Sequence, residues 1–576
     1  MQKRWVLKSQ GNQDVVTSLA AELRVNRILV NLLVQRGIDT YEEARRFFRP
    51  SLDHLHDPFL MKDMDKAIER IGEAIRNKEH ILIYGDYDVD GTTAVSLVYT
   101  FLKSISGNIG HYIPDRYKEG YGISKMGIDF AKENGYQLII ALDCGIKSND
   151  KIAYANEIGV DFIICDHHRP GNEIPDAVAV LDPKRSDCEY PYKELSGCGI
   201  GFKLIQAFAQ LNHIPFSQLE QYLDLVAISI AADIVPITGE NRILAYYGLQ
   251  KLNREPRPGV KAILDLGGFK KELTINDIVF AIAPRINAAG RIEHGSKAVE
   301  LLISKNEDLA NFLGDDIDEN NTTRKNLDSL ITDQALQQIV DDPGFVNRKS
   351  TVVYNPEWHK GVIGIVASRL TDRYYRPTIV LTRSNGMVSG SARSVKDFDV
   401  YNAIERCSDL LEQFGGHMYA AGLTMKEENV DQFIARFEDI VAATITDKML
   451  VREIEIDAEL SLKEISPSFF RILKQFAPFG PGNMAPIFRT NLVHDNGRGK
   501  VVGNNHLKLT LTQDGLQPGF FDGIAFQLGH HHPMVEQNES FDIVYHVEEN
   551  TFNNRTTLQL NIKDLRFAKE QVSVAS

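Results

Sequence analysis

The chain has 576 residues, 43% of them hydrophobic and 25% charged, and a net charge of −14 at neutral pH. That length exceeds what one hydrophobic core organises, so about two to four domains are expected. The acidic balance excludes a protein that coats nucleic acid by bulk charge, though not a narrow basic groove, because the field at a site follows the local distribution.

No stretch approaches the roughly 18 uninterrupted apolar residues of a membrane-spanning helix. The basic start, Met1-Gln2-Lys3-Arg4-Trp5-Val6-Leu7-Lys8, leads to no apolar signal core. Five cysteines, odd in number and unpatterned, read as reduced thiols of a cytoplasmic protein.

In chain order, residues 1–75 are expected to form an N-terminal helical segment after an extended start. Residues 15–23 and 25–36 are amphipathic, and 41–48 follow an Asp39-Thr40 cap signal. Residues 76–304 alternate short apolar runs with helical stretches, the pattern of a parallel sheet covered on both faces. The runs at 80–84, 137–142 and 161–165 are its strands, and 92–104 is the first crossover helix. Residues 305–345 are polar with apolar positions at helical intervals, so one or two connecting helices are expected. A second α/β domain is expected over 346–450, with strands at 351–354, 378–381 and 387–390 and a helix at 361–373. Beyond a turn-rich stretch at 478–483, residues 451–570 alternate at period two (507–512, 558–562) and read as a small antiparallel β-barrel. Such barrels often bind single strands.

The chemistry lies where the first domain's apolar runs end. Asp86-Tyr87-Asp88-Val89-Asp90-Gly91 follows the first strand, Asp143-Cys144-Gly145 the second and Asp166-His167-His168 the third; Asp233 follows Ala231-Ala232. Ligands of open α/β sheets gather beyond the carboxyl ends of the strands. Hard carboxylate oxygens with one or two imidazoles suit Mn²⁺ or Mg²⁺, and two such ions about 3.5–4 Å apart can hold both oxygens of a phosphoryl displacement. The competing explanations are weaker. Asp and Gly after a strand are ordinary turn chemistry, but adjacent histidines are rarely needed for packing, and the Glu of a calcium loop's twelfth position is missing. Cys144 follows Asp143 directly and points to the opposite face. In the second domain, Ser391 and Arg393 of Gly390-Ser391-Ala392-Arg393-Ser394 offer donors for a phosphate, and Gly415-Gly416-His417 permits close backbone approach. Arg116 in Pro114-Asp115-Arg116-Tyr117 and Arg285 are further phosphate candidates.

The ordered acidic and histidine motifs resemble those of the DHH phosphoesterase superfamily. Pro284-Arg285-Ile286-Asn287-Ala288-Ala289-Gly290-Arg291, Glu357-Trp358-His359, residues 361–370, 390–394 and 415–422 narrow the resemblance to its RecJ family of single-strand-specific exonucleases. The resemblance implies a parallel-sheet DHH catalytic domain, connecting helices, a DHH-associated α/β substrate domain and a C-terminal OB fold. It implies that Asp88, Asp90, Asp143, His167 and Asp233 are metal ligands, with Asp143 shared, and that Asp86 is a ligand or supports one. Asp166 is expected to orient an imidazole. His168 is expected to contact the scissile phosphate, to protonate the leaving oxygen, or to serve as a second histidine ligand. The implied activity is 5′→3′ degradation of single-stranded DNA to mononucleotides in repair and recombination, by a monomer working with single-strand-binding protein and a RecQ-type helicase. The alternatives are a DHH oligoribonuclease or cyclic-dinucleotide phosphodiesterase, and, in another class, a catalytically dead replication scaffold. The 451–570 barrel and the 285–291 segment favour the exonuclease over the first two. The intact acids argue against the third.

Overall fold

The apolar runs at 80–85, 136–142 and 161–165 are buried on both sides and form the centre of a five-stranded sheet. In this computed structural model, which describes residues 3–515, 519–537, 539–553 and 555–568, its order is Ile109–Tyr112, His80–Gly85, Tyr136–Leu142, Asp161–Cys165, Ala179–Leu181, with every pair parallel. Of the expected ranges, residues 1–2, 516–518, 538, 554 and 569–570 lie outside the described residues. Register does the positioning. Gly85 pairs with Leu142, and Leu142 with Cys165, so Asp86, Asp143 and Asp166, each one residue further on, emerge at one level of the same rim.

The helix Val89–Lys103 follows the first strand and is buried on nearly all sides. It is covered by the helices Gly197–Leu211 and Leu223–Ala232, themselves almost wholly buried. Its first turn crowds the strand end it leaves: a Cβ on Gly91 would lie 2.3 Å from the Asp86 carbonyl oxygen. Only glycine permits that approach.

The chain divides into two compact units, one of Met1–Leu55, Pro236–Tyr246 and Glu453–Ser576, the other of His56–Val235 and Tyr247–Arg452. The second unit holds the parallel sheet and a further five-stranded sheet, ordered Gln413–His417, Ala420–Met425, Met387–Arg393, Thr378–Ser384, Thr351–Tyr354. Only its last pair is parallel. Between the two sheets in sequence runs one continuous helix of 35 residues, Glu307–Asp341.

In the first unit, Phe488–Asp495, Phe541–Phe552, Arg555–Phe567, Phe521–Ala525 and His506–Gln513 follow one another in pairing order, and the last pairs back with the first. This five-stranded closure is antiparallel except between Phe521–Ala525 and Arg555–Phe567. A closed ring of five strands cannot alternate direction throughout, so one parallel pair is required. Leu29, Leu32 and Leu33 of the helix Arg27–Val34 share a core with Phe488, Leu507 and Tyr545 of the barrel. The expected Thr40 cap is a full capping box with Glu43. The turn at 478–483 is pinned: Asn483 donates to the carbonyls of Phe476 and Pro478 and accepts from Arg36. Among the described residues no helix is long and apolar enough to cross a membrane.

Candidate active site

Each acid arrives by a different local device. Asp88 caps the helix Val89–Lys103, accepting the Gly91 amide at 3.0 Å. Asp90, in that helix's first turn, accepts from the amides of Gly197 (2.7 Å) and Cys198 (2.8 Å) and from the Ser229 hydroxyl (2.7 Å). Asp143 turns off its strand with a left-handed φ of 59°, a conformation that strains a residue bearing a side chain and tends to persist at functional sites. Asp233 caps the C-terminus of Leu223–Ala232. Asp86 accepts the Gly122 amide at 3.4 Å.

The imidazole of His167 stands among them. Its Nε2 is 3.2 Å from Asp143 Oδ1, 3.5 Å from Asp233 Oδ2 and 3.7 Å from Asp90 Oδ2. Two sets of donor atoms therefore converge, Asp90–His167–Asp233 and Asp143–His167–His168. Asp86 and Asp88 fall outside those sets, yet both act on the cluster: Asp88 raises Asp86 and Asp143 by charge repulsion.

Asp86 Oδ2, Asp143 Oδ1 and both ring nitrogens of His167 are buried with no hydrogen-bond partner among the described residues. Buried polar atoms without partners are costly and rare. Burial first, and then mutual repulsion, hold Asp86, Asp88 and Asp143 above the usual carboxylate range and push Asp233 up to about 8. Burial also lowers His167, which keeps its ring neutral and its lone pair available. Divalent cations would satisfy these atoms and cancel the repulsion, so the residues present fit a metal centre.

His168 is the opposite case, hydrogen-bonded at both nitrogens: Nδ1 to Asp166 Oδ1 at 2.7 Å and Nε2 to the Tyr121 hydroxyl at 3.1 Å. Burial pulls this ring down, but the Asp166 hydrogen bond and the charges of Asp166, Asp233 and Asp90 outweigh it and lift it to about 9. Burial likewise opposes Asp166, which the His168 pairing and the Ile146 amide still bring to about 2.

Guanidinium groups gather near the acids. Arg393 Nη1 donates to Ser391 Oγ (3.1 Å) and the Ala392 carbonyl (2.7 Å). Both side chains lie against the start of the helix Ile363–Tyr374: a Cβ on Gly364 would be 2.9 Å from Ser391 Oγ and 3.0 Å from Arg393 Nη2. Arg291 donates to the Gly361 carbonyl at 2.9 Å. Burial, then Arg116, Arg324 and Arg393, bring it down to about 10. Arg116 lies over the Tyr87 ring, 4.8 Å from its centroid. Arg116, Arg291 and Arg393 are all half-buried, and guanidinium groups brought together in this way are suited to an anion.

Other expected residues stand elsewhere. Arg285 is ion-paired with Asp318 at 2.7 Å and bonded to the Ala281 carbonyl, which makes it part of the helical scaffold. Gly415, Gly416 and His417 lie on the exposed strand Gln413–His417. His417 pairs with Ala420, which pairs with Arg393, so the three share a row across the sheet. Sequence reasoning did not single out Arg291, although it ends the Pro284–Arg291 run, nor Tyr121, whose Gly-Tyr-Gly setting is a readable signal. Ser229 gave none, lying inside an apolar helix.

Fold and site together define a metal-dependent phosphoesterase of the DHH class. The DHH family, N-terminal domain, matches residues 80–230, the DHHA1 domain 347–443 and the RecJ OB domain 456–564. Over 573 residues the chain is 38% identical to the single-stranded-DNA-specific exonuclease RecJ of Bacillus subtilis (strain 168), covering 99% of this chain and 71% of that protein. It is 32% identical to the RecJ of Escherichia coli (strain K12), across 96% of this chain and 97% of that one. The crystal structure of RecJ in complex with Mn²⁺ from Thermus thermophilus matches with a TM-score of 0.83 and 27% identity, over 98% of this chain and 79% of that one. The chain belongs to the RecJ family.

Proposed function

We propose that this chain is a single-stranded-DNA-specific exonuclease that hydrolyses phosphodiesters with two Mn²⁺ or Mg²⁺ ions. It works 5′→3′ and releases 5′-mononucleotides in DNA recombination and repair. The observation that carries this reading is a juxtaposition. Arg116 lies 4.8 Å over the ring of Tyr87, between Asp86 and Asp88, and Gly290, the residue before Arg291, packs against the Tyr87 carbonyl, so a set of arginines adjoins a cluster of carboxylates that fits cations.

In this reading Asp86, Asp88, Asp90, Asp143, His167 and Asp233 hold the ions. Bound there, the pair supplies a water made nucleophilic near neutral pH and positive charge for the developing oxyanions. Asp166 fixes the His168 ring, whose two nitrogens are both hydrogen-bonded, so the cationic ring serves the leaving side of the reaction rather than as a ligand. Ser391, Arg393, Arg116 and Arg291 grip the 5′-terminal phosphate, and Gly415, Gly416 and His417 line the strand's path beside Arg393. Residues 76–304 carry the chemistry, 305–345 connect, 346–450 bind the end of the strand and 451–570 bind the strand itself. The protein acts as a cytoplasmic monomer with single-strand-binding protein and a RecQ-type helicase. All five cysteines are free and buried, which suits a reducing compartment.

The test is a purified protein with Mn²⁺ or Mg²⁺ on a labelled strand bearing or lacking a 5′ phosphate, against duplex, RNA and cyclic-dinucleotide controls. Mononucleotides released from the 5′ end of single-stranded DNA support the reading. Preferential cleavage of RNA or a cyclic dinucleotide would sink it.

A further inference from the structure

The segment between the strand Ile109–Tyr112 and the helix Lys125–Glu133 is held at many points. Glu119 accepts from the Tyr112 hydroxyl at 3.0 Å, the Asp115 amide at 2.7 Å and the Ser124 hydroxyl. Asp115 accepts the amides of Tyr117 and Lys118, and the Tyr117 hydroxyl donates to the Arg291 carbonyl. The Gly122 carbonyl accepts from the Tyr84 hydroxyl at 2.9 Å. Within this staple Gly120 and Gly122 take left-handed φ values of 87° and 79°. They turn Tyr121 so that its ring meets Tyr87 edge-on at 6.3 Å and its hydroxyl meets His168 Nε2 at 3.1 Å. The residue as a whole is 56% exposed, so an incoming strand can reach it.

The function assigned above leaves a gap at the leaving oxygen. Release of 5′-mononucleotides breaks the bond from phosphorus to the 3′ oxygen, and that oxygen departs with a proton. His168 cannot supply it directly in this arrangement, because Asp166 occupies Nδ1 and Tyr121 occupies Nε2. Resting on that reading of the activity, we propose that Tyr121 is a catalytic residue whose hydroxyl gives its proton to the departing 3′ oxygen, with His168 behind it. Water oxygen bonds to phosphorus as the P–O3′ bond breaks. The 3′ oxygen takes the Tyr121 proton, the phenolate oxygen takes one along its hydrogen bond from His168 Nε2, and the attacking water's proton passes to solvent.

The test replaces the leaving oxygen by sulfur. A strand whose terminal linkage is a 3′-bridging phosphorothiolate releases a thiolate, which needs no proton. Tyr121→Phe, its fold checked by melting and its Mn²⁺ affinity by calorimetry, should cut the oxygen-linked strand about a hundredfold more slowly than the native protein. It should cut the sulfur-linked strand within about threefold of the native rate. An equal fall on both strands overturns the proposal, since it makes Tyr121 a support for the substrate or for His168. Unchanged rates on both overturn it as well. Should the native protein cut neither strand, the activity reading itself fails, and that outcome is distinct from a loss confined to the variant.

Discussion

The acid cluster and the arginine cluster of the second unit both collect like charges, the acids largely buried and the arginines half-buried, and they were assembled in different ways. The acids are delivered by consecutive strand ends whose register sets them at one level, and a single helix and its cap add Asp88 and Asp90. The arginines come from a loop (Arg116), from the helix Ala283–Ile292 (Arg291) and from a strand of the other sheet (Arg393). A rigid parallel sheet can hold atoms to the tolerance that metal coordination demands. Terminal-phosphate capture tolerates looser placement, because a guanidinium fork recognises oxygens over a broader range. Substitutions among the acids should therefore abolish turnover, and those among the arginines should change which strand end is preferred.

The largest effect is expected at Asp143, which touches His167 and is raised by burial and then by Asp90, Asp88 and Asp233. Asp143→Ala should lose several orders of magnitude in rate, about 10³ or more. Mn²⁺ at a hundredfold excess over its Kd stabilises by about 2.7 kcal/mol when it binds only the folded form. The native protein should show the corresponding rise in Tm, and the variant a much smaller one. A variant that kept both the rise and the activity would remove Asp143 from the centre.

The two histidines sharpen the contrast within the acid cluster. His167→Ala should lower Mn²⁺ stoichiometry or affinity. His168→Ala should leave both intact and still lose about 10²–10⁴ in rate. Calorimetric titration of the two variants separates them, and a lower stoichiometry for His168→Ala would make it a ligand.

These differences in origin explain what was legible in advance. Apolar runs ending in Asp or Asp-His-His disclose both the parallel sheet and its metal rim, because periodicity and position are local properties. The Thr40 cap and the helix Tyr41–Phe48 were readable for the same reason. Contacts between distant segments were not. Nothing near Arg285 announces Asp318 as its partner, and nothing in the apolar run around Ser229 announces its bond to Asp90. Arg291 stands in a recognisable motif, but its placement beside Gly361 depends on a turn 70 residues away in sequence. Period-two alternation likewise marks the barrel strands and cannot say which pair runs parallel.

A smaller effect is expected at the arginines. Removing one charge-assisted contact to a held phosphate costs a few kcal/mol, roughly a hundredfold. Arg393→Ala should lower kcat/KM by about that factor on 5′-phosphorylated strands and much less on 5′-hydroxyl strands, so the preference shrinks. Equal losses on both would assign Arg393 to the fold or the strand path.

The smallest and most diagnostic effect is on pH dependence without metal. Asp86, Asp143 and Asp233 have folded-state pKa values above their unfolded ones, Asp233 reaching about 8. The folded protein then binds more protons than the unfolded chain above roughly pH 4, where free carboxyls ionise. By linkage its stability falls as pH rises, and the loss continues until Asp233 has ionised near 8. His168, raised to about 9, adds a decline in the same direction, beginning near its unfolded value of about 6.5. His167, lowered by burial, works in the opposite sense below that value. The chelator-treated protein should therefore show a falling Tm between about pH 6.5 and 8. Saturating Mn²⁺ should flatten the profile, since bound cations displace the protons. Asp233→Asn should reduce the metal-free slope while leaving the profile of the first unit's barrel unchanged. A metal-free Tm that climbed through this window would contradict the crowding of buried carboxylates on which the acid cluster's role depends.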